Sequence, residues 1–208
     1  MSAGIVKYFY PVSPGTLDWL REDMDELLAE GHDSLLLHIR SYGGYSYMVP
    51  ETARYIEKIS ESVPVYAYTD CVMASAAYWL ACGAREIYAA PTATIGSIGA
   101  YAEHFDYEKN YLLNHIEHFV FAAGDRKARL LDGQIDEQEK AEIQEGVDRC
   151  HRQFKEFVLK RRKLEDKYLQ GNTLEGGDAF AVGMIDGLAD SVYELVTKLE
   201  GERIWLKK

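Results

Sequence analysis

The 208-residue sequence predicts an α/β protein organised on a parallel sheet, and three observations lead there. Apolar, strand-like runs alternate with segments of helical period through the first half of the chain, the order that right-handed βαβ crossovers require. Leu35-Leu36-Leu37-His38-Ile39 is a nearly unbroken apolar run, as expected of a strand covered on both faces. Glycine-containing turns follow the ends of strand-like runs, and in open α/β sheets ligands gather beyond the carboxyl ends of strands.

Residues 5–10 read as the first strand. Leu17, Leu20, Met24, Leu27 and Leu28 then recur at helical spacing, with Ser13-Pro14 or Thr16 as entry signals and Gly31 as the stop. The strand at 35–39 runs into Arg40-Ser41-Tyr42-Gly43-Gly44. Pro50 opens a second helix with Ala53, Ile56 and Ile59 on one face, which closes before Pro64. A strand at 65–68, a short helix opened by Ser75, a strand at 86–89 and a glycine-rich segment ending at Gly99 follow. Beyond it, 107–113 predicts a short helix and 118–121 a strand. Residues 135–168 predict one long helix, with Ile143, Val147, Cys150, Phe154, Phe157 and Leu164 as an apolar stripe. Its basic run, Lys160-Arg161-Arg162-Lys163, reads as a solvated helix face because acidic residues surround it. A helix at 174–182, a short strand at 184–185 and a helix at 193–199 complete the pattern.

Length and composition set the class. The chain suffices for one sizeable core, and no linker divides it, so residues 1–208 read as a single domain. Within it, about 1–130 form the sheet core carrying the site, and 131–208 a helical region with an oligomerisation surface. A content of 47% hydrophobic and 27% charged residues is an ordinary globular balance. The formal charge of −11 argues against nucleic-acid binding, which needs a basic face. Fifteen tyrosines point to amphipathic surface at interfaces or along a peptide groove. Cys71, Cys82 and Cys150 are odd in number and widely spaced, so they read as reduced thiols without metal-ligand spacing. The start of the chain lacks a basic segment followed by an apolar core, and the uncharged run 71–84 is too short for a membrane span. A cytoplasmic location without an anchor is expected, and no cofactor.

The stretch that carries chemistry is Met73-Ala74-Ser75-Ala76-Ala77-Tyr78-Trp79: the strand at 65–68 runs into a sharp turn, and Ser75 then opens a helix of small and aromatic residues. Ser75 then stands where unpaired backbone N–H groups can receive a developing oxyanion. Taken alone, the same serine also fits a helix cap. Gly43 has no side chain to hold its N–H away from a reacting carbonyl, and with the N–H of Ala76 it makes a candidate oxyanion hole. Taken alone, Gly43-Gly44 also fits a plain tight turn.

These segments resemble a known family. Ser41-Tyr42-Gly43-Gly44, the Ala74-Ser75-Ala76-Ala77-Tyr78 elbow, Ala90-Pro91-Thr92-Ala93-Thr94-Ile95-Gly96-Ser97-Ile98-Gly99, and Gly177-Asp178-Ala179 followed by Gly183-Met184-Ile185-Asp186 are similar to the signal peptide peptidase A family. That family includes the phage prohead proteases and belongs to the Clp protease/crotonase superfamily. The resemblance covers roughly residues 35–190 and implies a fold of repeated ββα units with a long C-terminal helical region. It implies a serine endopeptidase acting on unfolded peptides or proteins through a serine nucleophile and a lysine base. The family's lysine lies in a small-residue loop beyond the Gly-Ser-Ile-Gly segment, the place held here by Ala123-Gly124-Asp125-Arg126-Lys127. The resemblance therefore assigns Ser75 as nucleophile and Lys127 as base; by spacing alone, Lys127 beside Arg126 and Arg129 is a surface charge. A lysine base must sit where burial or neighbouring cations favour its neutral form. Family resemblance also implies a homo-oligomer, and the long helix, with Phe154 and Phe157 expected to be uncovered in a monomer, supplies a second reason.

Two departures bear on specificity. Tyr42 stands where the family has proline, and Ala76-Ala77 where it has two glycines; both narrow the groove beside the nucleophile. Without the anchor and second domain copy of the membrane-bound peptidases, a soluble single-domain or phage prohead protease-like member is expected. Three alternatives stand beside this reading: a Clp-type triad using His104 with Asp106 or Asp125, a crotonase-like acyl-CoA enzyme, and a non-catalytic oligomeric scaffold on the same fold.

Overall fold

The computed structural model describes residues 3–124, 126–128 and 133–206. The chain divides into two compact units, one of residues 1–99 with 151–208 and one of residues 100–150.

The first unit opens with β1 (Ala3–Tyr8), where alternate residues Gly4, Val6 and Tyr8 are buried. Helix α1 (Pro14–Ala29) begins with a reciprocal cap. Thr16 N donates to Ser13 Oγ at 3.3 Å and Ser13 N donates to Thr16 Oγ1 at 2.9 Å, satisfying two N–H groups that the helix start leaves over. Leu17, Leu20 and Met24 form its buried face. Strand β2 (Ser34–Ile39) is buried at every position, as its apolar run predicts. Helix α2 (Val49–Ser62) buries Val49, Thr52, Ala53 and Ile56. Strand β3 (Val65–Thr69), β4 (Val72–Ala74), α3 (Ala76–Ala81), β5 (Glu86–Ala89) and β6 (Thr94–Gly96) follow.

The second unit holds α4 (Glu108–Leu113) and residues 137–150 of α5 (Glu137–Leu159), nearly four turns. Asp136 and Glu139 cap α5 reciprocally, Glu139 N donating to Asp136 Oδ1 and Asp136 N to Glu139 Oε2, each at 2.8 Å. The chain then returns to the first unit through a 3-10 turn (Asp166–Leu169), β7 (Thr173–Glu175), α6 (Gly176–Ala181), β8 (Gly187–Leu188) and α7 (Val192–Leu206).

Five strands form a parallel sheet in the order β1-β2-β3-β5-β8, and a smaller sheet runs β4-β6-β7, with β4 and β6 parallel and β7 antiparallel. Because side chains alternate across a strand, Leu36, Tyr66, Tyr68 and Tyr88 share one face, where Leu195 and Leu199 of α7 cover them. Two of these tyrosines keep their hydroxyls bonded at the margin, Tyr68 to Ala189 O at 3.2 Å and Tyr88 to a Glu86 carboxylate oxygen at 2.7 Å. On the small sheet's side, Trp79 of α3 stacks on Phe154 of α5 with centroids 4.6 Å apart and planes 5° from parallel.

Several expectations need correction. Residues 118–121 form no strand: Phe119 and Phe121 are exposed, and no described strand supplies them with ladder hydrogen bonds. The long helix stops at Leu159 rather than continuing to 168, because the basic run turns inward. Arg161 donates to Ala84 O at 2.8 Å, and buried Arg162 grips Asp186 with two bonds of 2.8 and 2.6 Å. Arg161 and Arg162 thus tie the run to the core, while Lys160 and Lys163 stay exposed as expected. Phe154 and Phe157 are 2% and 7% exposed within the chain, so neither is left uncovered. The predicted helix at 174–182 is split, since Thr173–Glu175 pairs with β6 and the helix begins at Gly176. Only glycine fits there, because a Cβ would stand 2.1 Å from Ala90 O. The short strand forms at Gly187–Leu188, while Met184 N turns back to Ala179 O at 2.8 Å to close α6. Helix α7 runs on to Leu206, past the expected end at 199.

Candidate active site

β4 delivers Ser75 into a sharp turn. Its backbone sits at φ 53° and ψ −128°, a conformation that costs a residue with a side chain about 1–3 kcal/mol and persists only where the surroundings enforce it. The surroundings do so. Ser75 N donates to Gly96 O at 2.8 Å, Trp79 N donates to Ser75 O at 3.0 Å, and every residue of α3 is buried. The Ser75 side chain makes no capping bond to its helix, so the cap reading does not describe it. The residue is partly exposed while its neighbours on both sides are covered.

Gly43 is wedged against this turn. Its φ of 98° lies where side chains are rarely tolerated, and a Cβ there would stand 2.7 Å from Ser75 Cβ, 2.9 Å from Ala74 O and 3.0 Å from Ala76 N. Both of its backbone polar groups are bonded: Gly43 N donates to Ser41 Oγ at 3.2 Å, and Val12 N donates to Gly43 O at 2.8 Å. The two-glycine turn is therefore more than a change of direction, since it brings backbone against the serine. Gly96 and Ser97 form a second flank through Ser97 N, which donates to Asn172 O at 2.8 Å.

The structure brings together Ser75, Gly43 and Ala76, all in the first unit. Lys127 belongs to the second unit, exposed on a turn in which its N–H donates to Gly124 O at 3.0 Å. Neighbouring Arg126 pairs with Glu142. Arg129, expected to flank Lys127, and Asp125, one of the two carboxylates considered for a triad, lie outside the described residues. His104 and Asp106 have local partners in the second unit: the His104 Nε2–H donates to Gly133 O at 2.8 Å, and Asp106 Oδ1 accepts from Glu108 N at 3.0 Å.

Ahead of Ser75 lies a charged group that the sequence reading missed. The Asp70 carboxylate accepts two 2.6 Å bonds from Arg40 and faces His38 Nε2 at 3.1 Å. Arg40, with His38 adding to it, holds the Asp70 carboxyl down at about 2. Burial pushes the His38 imidazole below its usual value, against the pull of Asp70. Phe9 flanks the group, its ring edge-on to His38 at 4.8 Å and beneath the Arg40 guanidinium at 4.6 Å. A histidine inside an otherwise apolar strand was the available signal. Among the described residues no group of histidine, cysteine and carboxylate side chains has the arrangement of a metal site, and no helix is long and apolar enough to cross a membrane.

The sequence model of peptidase family S49 matches residues 57–204. The chain is 28% identical over 191 residues to the "Probable protease SohB" of Haemophilus influenzae, covering 89% of this chain and 54% of that protein. It spans about half the length of the curated relatives it matches. Among solved structures it is similar to a ClpP1 variant from Listeria monocytogenes, with a TM-score of 0.61 at 12% identity over 92% of this chain and 94% of that one. It is also similar to a membrane protease specific for a stomatin homologue from Pyrococcus horikoshii, with a TM-score of 0.52 at 18% identity over 94% and 77%. The mixed α/β architecture with its parallel sheet is thus the fold of these proteases. With the family's sequence pattern running through α3, the Gly96 segment and the Asp186 region, the chain belongs to peptidase family S49.

Proposed function

We propose that the chain is a serine endopeptidase that hydrolyses peptide bonds in unfolded peptides or proteins, with Ser75 as nucleophile and Lys127 as general base. The observation that carries this reading is the strained Ser75 turn pressed against Gly43, a side chain free of capping duty beside backbone N–H groups. Ser75 Oγ attacks the scissile carbonyl carbon while a neutral Lys127 amine takes the hydroxyl proton. The carbonyl oxygen becomes an oxyanion facing the N–H groups of Gly43 and Ala76. The C–N bond then breaks as Lys127 gives the proton to the leaving amine, and water releases the acyl group by the same sequence in reverse. Family membership supports the serine; the assignment of Lys127 rests on its place in the family's small-residue loop. We further propose a single functional peptidase domain, a cytoplasmic location and a homo-oligomer. Tyr101, Leu112, Leu113, Phe119 and Phe121 of the second unit are each 70% exposed or more, a surface that assembly would cover.

Substitution of each group with a casein or fluorogenic peptide assay tests the dyad. Ser75→Ala and Lys127→Ala should each lower kcat by about three orders of magnitude or more, while His104→Ala keeps most activity. A lysine base gives activity that rises toward alkaline pH, whereas a histidine base levels off by about neutrality. Loss of activity in His104→Ala with Lys127→Ala unaffected would transfer the site to the triad. Full activity in Ser75→Ala would remove the peptidase assignment, and turnover of thioesters in its place would favour the acyl-CoA reading.

A further inference from the structure

Ser41 occupies a position that neither the dyad nor the oxyanion hole uses. It is 3% exposed, two residues before Gly43, and its backbone is bonded on both sides to the strand that leads into the nucleophile. Ser41 N donates to Val72 O at 2.9 Å, and Ala74 N donates to Ser41 O at 3.1 Å. Its side chain does a different task, since Ser41 Oγ accepts the N–H of Gly43 at 3.2 Å. One residue therefore holds the strand of the nucleophile by its main chain and the candidate oxyanion donor by its hydroxyl.

We propose that Ser41 is a positioning residue for the oxyanion hole, acting through Gly43; the inference rests on the reading of Ser75 as nucleophile. Glycine at φ 98° has wide backbone freedom, and nothing on its own side chain can fix the direction of its N–H. The Ser41 hydroxyl fixes it from one end while Val12 N–H fixes the carbonyl at the other. The bond is at the long end of the range for N–H···O and has a neutral acceptor. An oxyanion is the stronger acceptor, so it draws the N–H from the hydroxyl as charge develops, with little motion of the loop. Ser41 thus keeps a buried donor satisfied in the resting protein and aimed for the transition state. A group of this kind acts on kcat and leaves substrate affinity nearly untouched.

The test compares Ser41→Ala and Ser41→Cys with the unaltered chain on a fluorogenic peptide, and in binding of a peptide boronate, whose tetrahedral adduct with a serine places an oxygen in the oxyanion hole. The cysteine variant keeps the buried volume with a poor acceptor, and it carries the test if the alanine variant does not fold. Both should lower kcat by about 10–100-fold with KM changed less than about threefold, and weaken the boronate by a like factor. A folded variant that keeps kcat and boronate affinity, while Ser75→Ala loses both, overturns the role of Ser41 alone. An unaltered chain that neither cleaves the peptide nor binds the boronate overturns the peptidase reading and this inference with it.

Discussion

Replacing Gly43 with alanine tests the wedge at the centre of the site. The added Cβ would stand 2.7 Å from Ser75 Cβ, short of the 3.4 Å at which ordinary van der Waals contact begins, and its other close neighbours are backbone atoms of Ala74 and Ala76. None of the three is the tip of a flexible side chain, so either the Gly43 loop or the Ser75 turn must move by several tenths of an ångström. Backbone at φ 98° adds strain, and together these effects should cost about 2 kcal/mol of stability, or roughly 4–8 °C in Tm for a chain of this size. The effect on catalysis should be larger. Removing one oxyanion donor costs about 100- to 1000-fold in kcat, and a displaced Gly43 N–H approaches that limit. Differential scanning fluorimetry and peptide turnover read the two consequences separately. Gly15→Ala is the control, since a Cβ there meets no atom within 4 Å; it should leave Tm and kcat near their starting values. A Gly43→Ala protein with unchanged Tm and kcat within about threefold would refute the packing of Gly43 on Ser75.

Arg162→Met should lower stability by about 3 kcal/mol, because it leaves Asp186 without the two bonds it receives from a buried guanidinium; an unchanged urea midpoint would contradict this. Phe154→Ala should cost about 3–5 kcal/mol by emptying the space against Trp79, and a smaller loss would mean that α5 closes over the gap. Asp70 and His38 both have folded-state values below their unfolded ones, so the unfolded chain binds more protons and stability rises with pH through both windows. The His38 part is lost as pH falls below ~6.5, and the Asp70 part as pH falls from ~3.9 toward about 2. Asp70→Asn should therefore flatten the decline of Tm below pH 4, and parallel curves for the two proteins would show that Asp70 is not its source.

The parallel core was legible because burial on both faces writes itself as unbroken apolar runs: residues 35–39, 65–68 and 86–89 all became strands of the main sheet. The serine turn was legible for a related reason, since small residues followed by buried aromatics mark a helix packed close to a strand. The three-residue strands β4, β6 and β7 were not, because so short a pairing leaves no period to read and depends on partners far along the chain. Arg161 and Arg162 were misread for the same cause. Charge density suggested solvent, but Ala84 O and Asp186, which they meet, are known only once the sheet is assembled. Ser41 lay inside a recognised motif, yet its hydroxyl gains meaning only beside Gly43 at the measured distance.

The small sheet has a bearing on when the Ser75 turn gains its supports during synthesis. Ser75 is held by Gly96, Ser97 by Asn172, and Gly177 by Pro91, so the flank of the Ser75 turn draws on a segment made about 75 to 86 residues later. A ribosome-bound chain that has emerged only as far as Gly99 contains the serine, the two glycines and most of the parallel sheet, but lacks β7 and the edge strand β8. Such non-local pairings form late, after the loops between them have been closed. The order of synthesis therefore delays completion of the Ser75 flank until the segment at 172–177 has been made.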